Sequence, residues 1–204
     1  MTNPLLEAPE LKELVERTRT IGADTSLVVF GGGNTSAKGE VEIDGVRKRI
    51  LWVKASGGDM ATASEKTFAP LDLDVLEDLK KYDDLTDEEM VDLVSKSIML
   101  SGAPRPSIET LLHGFMPFKH IDHVHADAIC ALTNHPKGRE AALEAFGDEW
   151  AYVEWMRPGF PLSKVAEKLE NYRGIILAHH GVITWAETSE QCLQETLDVV
   201  NKAN

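Results

Sequence analysis

A chain of 204 residues, 43% hydrophobic and 27% charged, is long enough for one sizeable domain with its own core. Its formal net charge of −13 argues against nucleic acid and anionic membrane as partners, because both need a basic patch that releases counterions. An anionic small molecule stays open, since a local nest of backbone amides binds phosphate even inside an acidic protein. Cys130 and Cys192 lie far apart and form no CxxC pair, so the expected compartment is a reducing cytoplasm. The N-terminal segment has scattered charges and no apolar h-region, and no apolar run approaches bilayer-spanning length.

Taken in chain order, residues 5–20 carry apolar groups at roughly helical spacing, and Gly22 ends the run. SLVVF (26–30) leading into GGGNTSAKG reads as strand, glycine-rich turn, strand. RILWVKASGGD (49–59) repeats that pattern. Within 64–82 a helix is expected around LDVLEDLKK with Ser64 as its cap, and another follows Thr86. PRPSIETLLHGFM opens a helix near Ser107, HIDHVHA (120–126) alternates like a strand, and AICAL returns to helix-compatible spacing. GIILAHHGVITW (174–185) reads as a buried strand, and an amphipathic helix capped by Thr188 ends the chain. Single strands mixed with helices, without repeat or linker, predict one α/β or α+β layered domain over residues 1–204. Its last helix runs into the final residue, as expected of a domain excised from a longer chain.

All seven histidines fall between His113 and His180, and four of them form the pairs HVH and HH. His123 and His125 are two apart on a predicted strand, so both imidazoles point to one face and reach one ion. A third nitrogen comes from the pair His179-His180, of which only one faces the site if the two lie on a strand. Three histidines with an open fourth position is the pattern of catalytic zinc, whereas structural zinc closes its shell with four protein ligands. Such a site also accepts cobalt, manganese or iron. The histidines at 113, 120 and 135 read as structural or surface residues.

Glu109 stands early in a predicted helix, where it complements the dipole or serves as a general base beside a cation. GGGNTS is neither a Walker A loop nor GxGxxG, yet its glycines can present consecutive amides, with donors from Asn34, Thr35 and Ser36. Ser56-Gly57-Gly58 is a second such turn, preceded by Lys54, and Ser107 at a helix start completes a three-sided anion cradle.

Together and in this order, GGGNTS (31–36), KASG (54–57), PSIE (106–109), HVH (123–125) and HHG (179–181) resemble the class II aldolase/adducin family. Within that family the chain looks most like the aldolase half of bifunctional rhamnulose-phosphate aldolase/alcohol dehydrogenases. The resemblance implies a three-layer α/β/α fold around a mostly antiparallel sheet. It implies Zn2+ on His123, His125 and His180, and Glu109 as catalytic acid/base. Gly33, Asn34, Ser56, Gly57 and Ser107 would bind the phosphate of a small phosphorylated sugar. The implied activity is an aldehyde lyase cleaving a ketose 1-phosphate to dihydroxyacetone phosphate and an aldehyde. A homotetramer and a fused or associated dehydrogenase domain are implied as partners. Two departures stand out: Ile108 occupies the place of a second small hydroxyl residue, and Tyr152 lies where relatives carry a neighbouring subunit's aromatic hydroxyl, without a motif match. The alternatives are a metal-dependent epimerase or dehydratase of sugar phosphates, and a metal-free adducin-like module.

Overall fold

A computed structural model describes residues 3–204. The expected N-terminal helix is divided into α1 (Pro4–Glu7) and α2 (Pro9–Gly22). Pro9 has no amide hydrogen and its ring drives Ala8 out of the helical region, to φ −57°, ψ 135°. SLVVF does not form the strand its composition predicts. The amides of Leu27 and Val28 donate to Asp24 O in a turn, their side chains enter the core, and Val29 and Phe30 face solvent. Strand formation starts later, in residues read as a turn, with β1 (Asn34–Ile43). Its pairing with strands on both sides outweighs local propensity.

An Asp44-Gly45 turn with φ 51° and 77° joins β1 to β2 (Val46–Lys54), a hairpin closed by the pair Ile43–Val46. Ser64 caps only a single 3-10 turn, and β3 (Phe68–Asp72) follows it directly. The helix expected there is the short α3 (Leu73–Glu77), capped by the Asp72 side chain. As expected, Thr86 and Glu89 form a capping box at α4 (Asp87–Ser95). Next come α5 (Thr110–Phe115), β4 (His120–Val124), α6 (Asp127–Asn134) and α7 (Gly138–Phe146). After β5 (Trp150–Val153) and α8 (Phe160–Ala166), the run read as one strand is a hairpin of β6 (Gly174–Leu177) and β7 (Gly181–Ala186). Thr188 caps the final helix α9 (Ser189–Ala203).

Among the described residues the strands form one sheet of order β3-β2-β1-β4-β7-β6-β5. Every pairing is antiparallel except β5 with β6, which gives the mostly antiparallel sheet of the expected fold. Trp52, Ala37, Val124 and Val182 pack toward α2, α6 and α9 on one face, while Leu51, Ile121, Ile175 and Ile183 pack toward α5 and α8 on the other. The result is helix, sheet, helix. β4 lies at the centre, buried on both faces, and its end carries the site. No helix among the described residues is long and apolar enough to cross a membrane.

Candidate metal centre

Three segments converge at the end of β4. His123 is on the strand and His125 one residue past it, so pleat alternation puts both rings on one side. His180 arrives from the turn between β6 and β7, because β7 pairs with β4 in the register Val124–Val182. The choice between the two histidines of that doublet is made by the turn and not by strand alternation. His179 has φ 58°, and its ring swings out to Asn134 Oδ1 at 2.7 Å, which leaves His180 facing inward. Gly181 sits against the carbonyl of Val124, where a Cβ would lie 2.2 Å from the oxygen, so only glycine allows this approach.

The Nε2 atoms of His125 and His180 lie 3.0 and 3.2 Å from His123 Nε2, and the ligand atoms of all three fall within 4.8 Å of one another. His123 Nδ1 donates to Val182 O at 3.1 Å, which turns the lone pair of Nε2 into the site. Burial, the largest cause for each ring, pushes all three down to about 4, so they are neutral at pH 7.

Glu109 is the residue immediately before α5, with φ −94°, ψ 10°, and not inside its first turn. It is buried, with Oε2 at 3.5 Å from His123 Nε2 and Oε1 at 3.8 Å from His180 Nε2. Oε1 has no hydrogen-bond partner among the described residues. A buried carboxylate oxygen without a donor, facing three neutral nitrogens, is an expensive arrangement in a protein interior. A divalent cation between them would resolve it: the donor set fits three nitrogens with a position left for oxygen.

Around this centre the structure gathers the other predicted residues. Asn34 Nδ2 donates to Glu109 Oε2 at 2.7 Å and approaches Ser107 Oγ at 3.3 Å. Gly33 has φ 59° and packs so closely on β4 that a Cβ would stand 2.6 Å from His123 O. Ser56 and Gly57 lie on the turn after β2, tied to the segment before α5 by Ser56 N donating to Arg105 O at 3.1 Å. A cavity of about 670 Å3 opens there, lined by Ser56, Arg105, Ser107 and Ile108 with Met90 and Val94 of α4. Tyr152 stands apart from its own chain's centre, on edge strand β5 with its ring 5.3 Å from the Arg139 guanidinium.

Three further residues belong to the surroundings of the site: Lys54, noted above beside the second glycine turn, and Arg105 and His113, which were not read as such in the sequence. Lys54 is buried and donates to Gly33 O and Ala55 O, each at 3.3 Å, tying the two glycine turns together. Burial lowers its ammonium from the ordinary range. Arg105 lines the cavity with a guanidinium that has no hydrogen-bond or ion-pair partner among the described residues. His113, read as structural or surface, is fully buried and hydrogen-bonded to Ser36 and Asn34. Its position one turn after Glu109 was the available signal, but its partners on β1 come from 77 and 79 residues away.

Fold and centre together define an α/β domain of the metal-site type expected from the motif order. Residues 12–203 match the model of the class II aldolase and adducin N-terminal domain, and the chain belongs to that family. It is 43% identical over 198 residues to a protein of Bacillus subtilis (strain 168) called uncharacterized oxidoreductase YuxG, covering 95% of this chain. The chain spans 29% of that relative's length. The N-terminal class II aldolase domain of a conserved protein from Thermoplasma acidophilum is 34% identical and superposes with a TM-score of 0.89, covering 97% of this chain and 92% of that one. A sugar-phosphate aldolase from Thermotoga maritima is 16% identical with a TM-score of 0.70, covering 95% and 91%, and so shares the fold.

Proposed function

We propose that this domain is a metal-dependent aldehyde lyase that cleaves a ketose 1-phosphate, rhamnulose 1-phosphate-like, to dihydroxyacetone phosphate and an aldehyde. The observation that carries the reading is buried Glu109, its Oε1 without a donor and 3.8 Å from His180 Nε2, its Oε2 3.5 Å from His123 Nε2, beside the cluster of His123, His125 and His180. Those three residues would hold the cation, with zinc favoured by the all-nitrogen set and cobalt, manganese or iron as substitutes. When bound, it would supply a Lewis acid to the oxyanion that develops on the substrate carbonyl, worth several kcal/mol.

The protein's own groups do the rest. Asn34 holds Oε2 by its amide, so Oε1 is the atom left to accept the proton of the hydroxyl that becomes the aldehyde. The electron pair of the broken carbon–carbon bond moves toward the carbonyl, and Glu109 returns the proton to the carbon that lost its bond. The phosphate would lie against Gly33, Asn34, Ser56, Gly57 and Ser107. Arg105 beside them offers the charge that compensates for the hydroxyl absent at Ile108.

The relative called an oxidoreductase, of which this chain spans only part, supports a dehydrogenase region as fused or associated partner that would act on the released aldehyde. Family resemblance supports a homotetramer, and the two separated cysteines support a reducing cytoplasm. Elemental analysis combined with a screen of ketose 1-phosphates for aldehyde release tests the proposal. One equivalent of metal and aldehyde release is the expected result; isomer formation without aldehyde would move the assignment to an epimerase, and metal-free protein after zinc-replete purification to a non-catalytic module.

A further inference from the structure

We propose that His113 is a positioning residue that orients the Glu109 carboxylate through Asn34, in a relay running Ser36–His113–Asn34–Glu109. The inference rests on Glu109 being the proton carrier proposed above. His113 lies on α5 with no exposed surface, and burial holds its ring neutral, well below the ordinary histidine range. Both ring nitrogens are nevertheless engaged: Nδ1 lies 2.7 Å from Ser36 Oγ, and Nε2 meets Asn34 Oδ1.

These contacts fix one proton arrangement. Asn34 spends its amide N–H on the Glu109 carboxylate at 2.7 Å, which can accept there, so its carbonyl oxygen is the atom turned to His113. A carbonyl oxygen can only accept, so His113 Nε2 carries the proton. A neutral ring has one N–H, so Nδ1 accepts, and the Ser36 hydroxyl is its donor. Rotating the Asn34 amide by half a turn would set carbonyl against carboxylate at Glu109, and N–H against N–H at His113 unless the ring moved its proton to Nδ1 and Ser36 became the acceptor. The His113 Nε2–H, with Ser36 donating to Nδ1, therefore anchors the Asn34 carbonyl and holds the amide in the orientation that binds Oε2 and leaves Oε1 without a partner. Although Glu109 and His113 are four residues apart, their side chains are linked, among the described residues, through Asn34 of β1.

The test uses two amide variants that each keep half of the ring's hydrogen bonding. His113→Gln puts an N–H donor where Nε2–H was; His113→Asn keeps an acceptor for Ser36 and loses the donor to Asn34. We expect His113→Gln to stay within about 5-fold of the parent kcat. His113→Asn should lose roughly 10²-fold in kcat, the scale of a slightly misplaced reacting group, with KM, metal content and Tm matching the glutamine variant. Equal activity of the two variants, or losses that follow metal content or Tm, would overturn the relay. A second readout needs no substrate: 15N-histidine NMR of the protein should show His113 as the Nε2–H tautomer with slow exchange, and an Nδ1–H tautomer sinks the inference. The underlying reading is separable, because it fails if Glu109→Gln keeps full activity. The relay alone fails if Glu109→Gln is inactive while His113→Asn and His113→Gln behave alike.

Discussion

β4 carries a buried polar cluster on each face, and the two are built to opposite rules. Toward α2 and α9, Arg17 engages all three guanidinium nitrogens: on Asp122 Oδ1 at 2.9 Å, His120 Nδ1 at 2.9 Å, Ser189 Oγ at 2.7 Å and Ser36 O at 2.8 Å. Toward α5, one residue along the strand, His123 joins two other imidazoles and a carboxylate with an unpaired oxygen. A saturated buried network fixes structure; an unsaturated one waits for a ligand. Ser36 touches both, its carbonyl accepting from Arg17 and its hydroxyl meeting His113, so the structural cluster braces the strand that orients the reactive one.

The contrast can be broken from either side. The largest effect is expected at the unsaturated cluster: Glu109→Gln should retain metal, read by elemental analysis, and lose about 10³-fold in kcat, within the range of a removed general acid–base group. On the saturated face, Arg17→Met leaves the Asp122 carboxylate buried without its cation, beside Thr196 Oγ1 at 3.3 Å. Urea unfolding should then show a loss of about 3–5 kcal/mol, while the folded fraction keeps its metal. Were both variants to lose metal and stability together, the two clusters would be a single unit.

Between the two lies Gly33. Gly33→Ala combines φ 59° with a Cβ 2.6 Å from His123 O, and should destabilise by about 1–3 kcal/mol while lowering metal affinity through β4. The smallest effect concerns acid. Burial and the neighbouring Arg17 charge push His120 down to about 3, and burial lowers His113 as well. The unfolded chain takes up protons below about 6.5 while the folded one does not, so this stability is full above 6.5 and drains as pH falls toward 3. His120→Asn keeps an acceptor for Arg17 and should remove about 1.4 kcal/mol per pH unit from that slope in urea titrations at pH 4–6.

Much of the site was legible because its signals are local. Alternation along HIDHVH sends His123 and His125 to one side and Asp122 to the other, and Thr86 and Thr188 mark their helices by capping chemistry that acts within three residues. Elements whose conformation depends on distant partners were not legible. SLVVF is apolar enough for a strand, but only Leu27 and Val28 find a core to enter, whereas NTSAKG becomes a strand because β2 and β4 flank it. Residues 136–173 hold local signals that the reading above does not use: helix formers closed by Gly147 in α7 and Pro161 in the first turn of α8.

The sequence by itself determined the inventory of the centre: three histidines, one glutamate, an asparagine and two glycine turns, in a recognisable order. Which of two adjacent histidines turns inward, and which end of the Asn34 amide meets His113, were decided only by tertiary structure. Both depend on hydrogen bonds between residues 45 to 79 positions apart, and no periodicity in the chain encodes contacts at that range.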